Sequence, residues 1–140
     1  GFTRRDEQNL RLLAAQAAIV WAQHLLLVFP LWLGSPPALG KAFLEQVLRP
    51  GFAFAYGPRG FPQRLLTGRS ARLVVTMGMP ALLYRWYFRA HGLKALERNV
   101  LGFVGIGPVR RDLLGNVGGA DDATRRRWLE RMREHGRRGH

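Results

Sequence analysis

Cysteine is absent from the 140 residues. That excludes a disulfide scaffold, a thiolate nucleophile, and the zinc and iron–sulfur sites built on Cys. Lysine is nearly absent: of 22 basic residues only Lys41 and Lys94 are lysines, and the rest are arginines. Acid is scarce, with 9 Asp and Glu against those 22, so the formal charge is +13. The excess is spread along the chain, at +2 over 1–51, +8 over 52–120 and +3 over 121–140. A spread, arginine-only excess reads as compositional bias, and no nucleic-acid partner is expected. Anionic small ligands are still drawn to such a surface at low salt. Long apolar runs are also missing. The longest, Leu25–Leu33, is interrupted by Pro30 and falls short of the roughly 20 residues a spanning helix needs. No membrane insertion is expected. The start, Gly1-Phe2-Thr3-Arg4-Arg5, leads into polar, periodic sequence, not the apolar core of a secretory signal. Without cysteine or a leader, the expected compartment is the cytoplasm. No carboxylate pair, Ser–His–Asp set or metal-spaced cluster stands out, and His24, before a strand, reads as a structural histidine.

What is present is an alternation. A 140-residue chain is one domain on length, here 1–140 with a frayed tail expected at 136–140. Leu10, Leu13, Ala14, Ala17, Ala18 and Trp21 recur at helical spacing over 5–22, with Thr3 as N-cap. Leu25-Leu26-Leu27-Val28-Phe29 is a continuous apolar run of strand length, as in a sheet buried on both faces. A proline-stiffened loop follows at 30–37, then a helix over 38–48 that Pro50-Gly51 stops. Residues 52–68 read as a long loop, a length that favours function. Ala71–Val75 is a second buried strand, 81–98 a helix broken near Gly92, Val100–Ile106 a third strand, and 121–135 the last helix, with Asp121 and Asp122 as charge at its start. This order predicts α/β architecture with a parallel sheet.

In such sheets ligands bind beyond the carboxyl ends of the strands. Two loops there have suitable content. Pro30-Leu31-Trp32-Leu33-Gly34 offers a stiff backbone and a large aromatic wall. Thr76-Met77-Gly78-Met79-Pro80 offers a hydroxyl and a glycine that admits close approach. Together they suit a planar heteroaromatic whose polar edge meets backbone amides. On pattern alone Trp32, Met77 and Met79 also fit as packing residues.

An ordered series of segments then carries a family likeness. Pro30-Leu31-Trp32, Pro37-Ala38, Lys41, Phe43-Leu44-Glu45, Arg49-Pro50-Gly51-Phe52-Ala53-Phe54, Leu65–Ala71, Thr76–Pro80, Tyr84-Arg85-Trp86 and Leu101–Gly105 resemble the flavodoxin-like NAD(P)H:quinone oxidoreductases of the DT-diaphorase and modulator-of-drug-activity type. The likeness spans about residues 17–136. It implies a flavodoxin-like three-layer fold, a homodimer, and FAD or FMN as cofactor. It also implies NAD(P)H as the hydride source, with a quinone or similar small acceptor reduced by two electrons. By the same likeness, Pro30, Leu31, Trp32 and Leu33 with Thr76, Met77, Gly78 and Met79 bind the flavin, through the amides of Leu31 to Leu33, Met77 and Gly78. Phe54 and Tyr56 cover the substrate, and Tyr84 is the catalytic residue. A histidine partner six residues after Tyr84 is unmatched: Ala90 stands there and His91 follows.

A flavodoxin-like sheet has five strands ordered 2-1-3-4-5, and about three are legible here. The expectation is therefore the carboxyl-terminal portion of such a fold, without the phosphate loop, and with activity of this chain alone in question. A non-catalytic interaction or dimerisation module of the same fold is the other reading.

Overall fold

Three parallel strands organise the molecule. The computed structural model describes residues 1–140. β1 (His24–Pro30), β4 (Ser70–Thr76) and β5 (Val109–Leu114) form one sheet in the order β1-β4-β5. β4 is central, and Ala71–Val75 are all buried and, Arg72 excepted, apolar. Both joins are parallel, pairing Pro30 with Thr76 and Thr76 with Leu114. All three strands therefore end at one edge.

Strand alternation sorts the two faces. Leu25, Leu27 and Phe29 of β1 and Leu73 and Val75 of β4 turn to a core closed by helices. These are α1 (Arg4–Trp21), α2 (Ala38–Val47), α3 (Ala81–Trp86) and α4 (His91–Ala95). Burying each large side chain there is worth about 1.5–3 kcal/mol. The other face carries only α5 (Asp122–Arg138), so the expected three layers are present around a three-stranded parallel sheet. α1 begins as expected: Thr3 N donates to Asp6 Oδ2 (2.8 Å) and Asp6 N to Thr3 Oγ1 (3.2 Å), a reciprocal cap. α5 starts likewise, with Thr124 N donating to Asp121 Oδ1 at 2.8 Å.

Three expectations need correction. The third strand is Val109–Leu114, not Val100–Ile106. Leu96–Leu101 continues α4 as a π-helical turn that buries Leu96 and Leu101, and Val104 and Ile106 pack into the core from irregular backbone. The 52–68 loop contains a small antiparallel pair, β2 (Phe54–Tyr56) and β3 (Pro62–Arg64). α5 itself runs to Arg138, and Gly139 ends it in the left-handed conformation. On α1 the core side is Leu12, Ala15 and Ile19, whereas Leu10, Leu13 and Trp21 are exposed.

Candidate functional site

The ends of β1 and β4 lie side by side because Pro30 and Thr76 are register partners. Immediately beyond, Leu31 N donates to Thr76 O at 2.7 Å. The chain then reverses. Trp32 N donates to Ser35 O (3.0 Å) and Ser35 N to Trp32 O (3.1 Å). The two central residues, Leu33 (φ 49) and Gly34 (φ 77), both occupy the left-handed region, as type I′ turns require. Glycine adopts this freely. Leucine does so at a cost of roughly 1–2 kcal/mol, and such strain concentrates at functional positions. The turn holds Trp32 62% and Leu33 fully exposed.

The loop after β4 is pinned from the other side. Met77 N donates to Leu114 O (3.0 Å), Asn116 N to Met79 O (2.9 Å) and Val117 N to Met77 O (3.1 Å). The loops after β4 and β5 are thus laced together. The structure places Pro30, Leu31, Trp32 and Leu33 beside Thr76, Met77, Gly78 and Met79 on adjoining strand-end loops.

It also redistributes their roles. Of the five amides expected to face a ligand, those of Leu31, Trp32 and Met77 are engaged within the chain. The amides of Leu33, Gly34, Gly78 and Met79 donate to no protein group. Two pairs of unused donors, on two adjacent loops beside an exposed indole, are what this edge presents. Met77's side chain is buried in the core and serves packing. Donors of this kind suit the polar edge of a planar heteroaromatic such as an isoalloxazine, with Trp32 beside it.

Tyr84 departs furthest from expectation. It is 1% exposed, and its hydroxyl donates to the carbonyl of Gly34 at 3.2 Å. Burial pushes its pKa up, so the phenol stays protonated and keeps donating. The side chain reaches the turn rather than open space, and a role as catalytic proton donor does not fit that position.

Phe54 and Tyr56 sit on β2, edge-on to one another at 5.5 Å. Phe54 also packs on Phe103 at 5.0 Å. It helps line a groove of about 410 Å³ that Ser35 and Gly92 border, whereas Tyr56 is 73% exposed. His24 is a satisfied structural histidine, its Nδ1 sharing a 2.7 Å hydrogen bond with Ser70 Oγ.

The family pattern described as a flavodoxin-like fold matches residues 2–136. The chain belongs to that family. Among its relatives, an uncharacterised NAD(P)H oxidoreductase of Haemophilus influenzae is 29% identical over 113 residues, covering 80% of this chain and 55% of the relative. An FMN-dependent NADH:quinone oxidoreductase of Pseudomonas fluorescens is 35% identical over 103 residues, covering 74% and 46% respectively. The crystal structure of Smu.1420 from Streptococcus mutans superposes with a TM-score of 0.76 at 26% identity, covering 86% of this flavodoxin-like chain and 63% of that one. The chain thus spans about half the length of the curated relatives it matches.

Sequence reasoning placed Gly34 in the candidate loop without giving it a role, and it missed Gly92 as part of the site. A glycine at 34 was signalled by the turn that Trp32-Leu33-Gly34-Ser35 makes. Nothing local signals Gly92, whose role depends on a contact 58 residues away in the chain.

Proposed function

We propose that this chain provides the ring-binding part of a flavin-dependent NAD(P)H:quinone oxidoreductase. The observation that carries the reading is the quartet of unused amides at Leu33, Gly34, Gly78 and Met79, set on adjoining strand-end loops beside exposed Trp32. The FMN named for the Pseudomonas fluorescens relative favours FMN over FAD. When bound, the flavin supplies the two-electron carrier that the protein's own side chains lack, for no cysteine or metal-ligating cluster is present.

The chain's residues then orient and polarise. The Leu33, Gly34, Gly78 and Met79 amides would hold the ring's polar edge, Pro30 and Trp32 would wall it, and Thr76 would offer a hydroxyl. Fixed dipoles of this kind favour whichever state places negative charge opposite them. The acceptor is a quinone or similar small molecule, and NAD(P)H is the reductant. Phe54 and Tyr56 cover the acceptor from a second copy in a cytoplasmic homodimer, which the exposure of Tyr56 supports. No helix is long and apolar enough to cross a membrane.

Titrating FMN into the chain while following flavin fluorescence, then adding NADH and a benzoquinone without oxygen, tests the reading. Saturable quenching followed by quinone-dependent NADH consumption is expected. Absence of quenching at millimolar chain would overturn it.

A further inference from the structure

Two helices converge on one carbonyl. The Gly34 oxygen accepts from the Tyr84 hydroxyl of α3 at 3.2 Å. It also lies against Gly92 in α4, so closely that a Cβ on Gly92 would stand 2.0 Å from it and 3.0 Å from Ser35 Cα. The corner between α3 and α4 makes this approach possible. Arg89 (φ 55) and Ala90 (φ 51) both take left-handed backbone, and Ala90 N donates to Tyr84 O at 3.2 Å. Two strained non-glycine residues thus bend the chain back so that Tyr84 and Gly92 meet the same turn. Apart from the Tyr84 bond, that turn is held by its two internal hydrogen bonds, and it contains strained Leu33.

We propose that Tyr84 is a positioning residue: with Gly92 it clamps the Gly34 carbonyl inward, so that the Leu33 and Gly34 amides point outward to the ligand. A peptide unit has its carbonyl and the following N–H opposed. Fixing the Gly34 oxygen therefore fixes the Ser35 N–H, which closes the turn on Trp32 O at 3.1 Å, and through that closure the reversal that carries the Leu33 and Gly34 amides. The proposal rests on the flavin reading for the identity of the ligand, but not for the clamp. The raised Tyr84 pKa agrees with it, because a phenol that stays neutral donates throughout the working pH range.

The first measurement is flavin-free: amide hydrogen exchange at Trp32 and Ser35 in the whole chain, with Leu73 of buried β4 as the internal reference for global opening. In Tyr84→Phe, exchange at Trp32 and Ser35 is expected to accelerate about fivefold, the equivalent of one lost hydrogen bond of about 1 kcal/mol, with Leu73 unchanged. Gly92→Ala is expected to do the same or more. If that variant does not fold, Tyr84→Phe alone decides. The second measurement is FMN affinity, expected to weaken by a similar factor in Tyr84→Phe, with the pH profile of quinone reduction unaltered.

Unchanged exchange at Trp32 and Ser35 in Tyr84→Phe would overturn the clamp. So would equal acceleration at Leu73, which marks a general core role. Loss of one limb of the pH profile with the turn intact would return Tyr84 to proton donation. A chain that binds no flavin, yet shows the local exchange change, upholds the clamp while the functional reading fails.

Discussion

At the residue scale, the least expected feature is a charge inside the sheet. Arg72 lies in the middle of β4 with its side chain 7% exposed, and its Nη1 donates to Asp112 Oδ2 of β5 at 2.5 Å. His135 of α5 stands 3.5 Å from the other carboxylate oxygen. Removing one partner leaves the other charge buried, so Asp112→Ala is expected to destabilise the chain by about 3–5 kcal/mol, read from urea unfolding. Arg72→Met with Asp112→Leu removes both charges and is expected to restore most of that loss. His24, nearby, titrates against folding. Burial chiefly, then Arg72, His140 and Arg110, lower its pKa from 6.5. The unfolded chain therefore binds this proton more readily, and stability falls as pH drops below about 6.5. The thermal midpoint is expected to fall between pH 7 and 5, and to fall less in His24→Asn. The capping-box carboxylate of Asp6 and the N-cap carboxylate of Asp121, also lowered, titrate below 3.8 and leave that window clear.

At the scale of elements, legibility followed the side chains. β1 and β4 were readable because Leu25–Phe29 and Ala71–Val75 are apolar runs, and the reversal at Trp32 was readable from its proline and glycine content. β5 was not, because Val109-Arg110-Arg111-Asp112 carries charges whose partners, Arg72 and Glu97, are remote in sequence. Val100–Ile106 misled for the complementary reason: a short apolar run fits a buried helix end as well as a strand. At the site, the cluster of residues was legible, but which amides remain free was not, since that depends on Thr76 O and Leu114 O across the sheet. α1 shows the same dependence on remote partners. Its last turn has no basic residue, and Arg69 closes it from outside, donating from Nε to Ile19 O and from Nη2 to Val20 O at 2.9 Å each, and from Nη1 to Thr67 O at 3.1 Å. A cation there also complements the helix dipole. Arg69→Ala is expected to cost about 2 kcal/mol and to raise exchange at Ile19 and Val20 before the sheet opens. Arg69→Lys recovers little, because a point charge cannot span two carbonyls.

At the scale of the whole molecule, composition and fold act together on the approach of a ligand. The charge of +13 is dispersed, and the ion pairs on α1, α2 and α5 are mostly exposed pairs within one helix, worth little to stability. The surplus therefore acts as a field. It attracts anions over a screening length of about 30 Å at 10 mM salt and about 10 Å at 100 mM. A field of this kind alters association rates more than contacts. The prediction separates it from the amide donors at the strand ends, which recognise a neutral ring edge. FMN carries a phosphate, whereas riboflavin presents the same ring without one. Stopped-flow quenching is expected to show FMN association slowing about tenfold from 10 to 300 mM salt, while riboflavin association stays constant. Tyr84→Phe is expected to weaken both ligands equally, without changing either salt dependence. Equal salt sensitivity for both flavins would remove the long-range field from the account and leave recognition to the turn that Tyr84 and Gly92 hold.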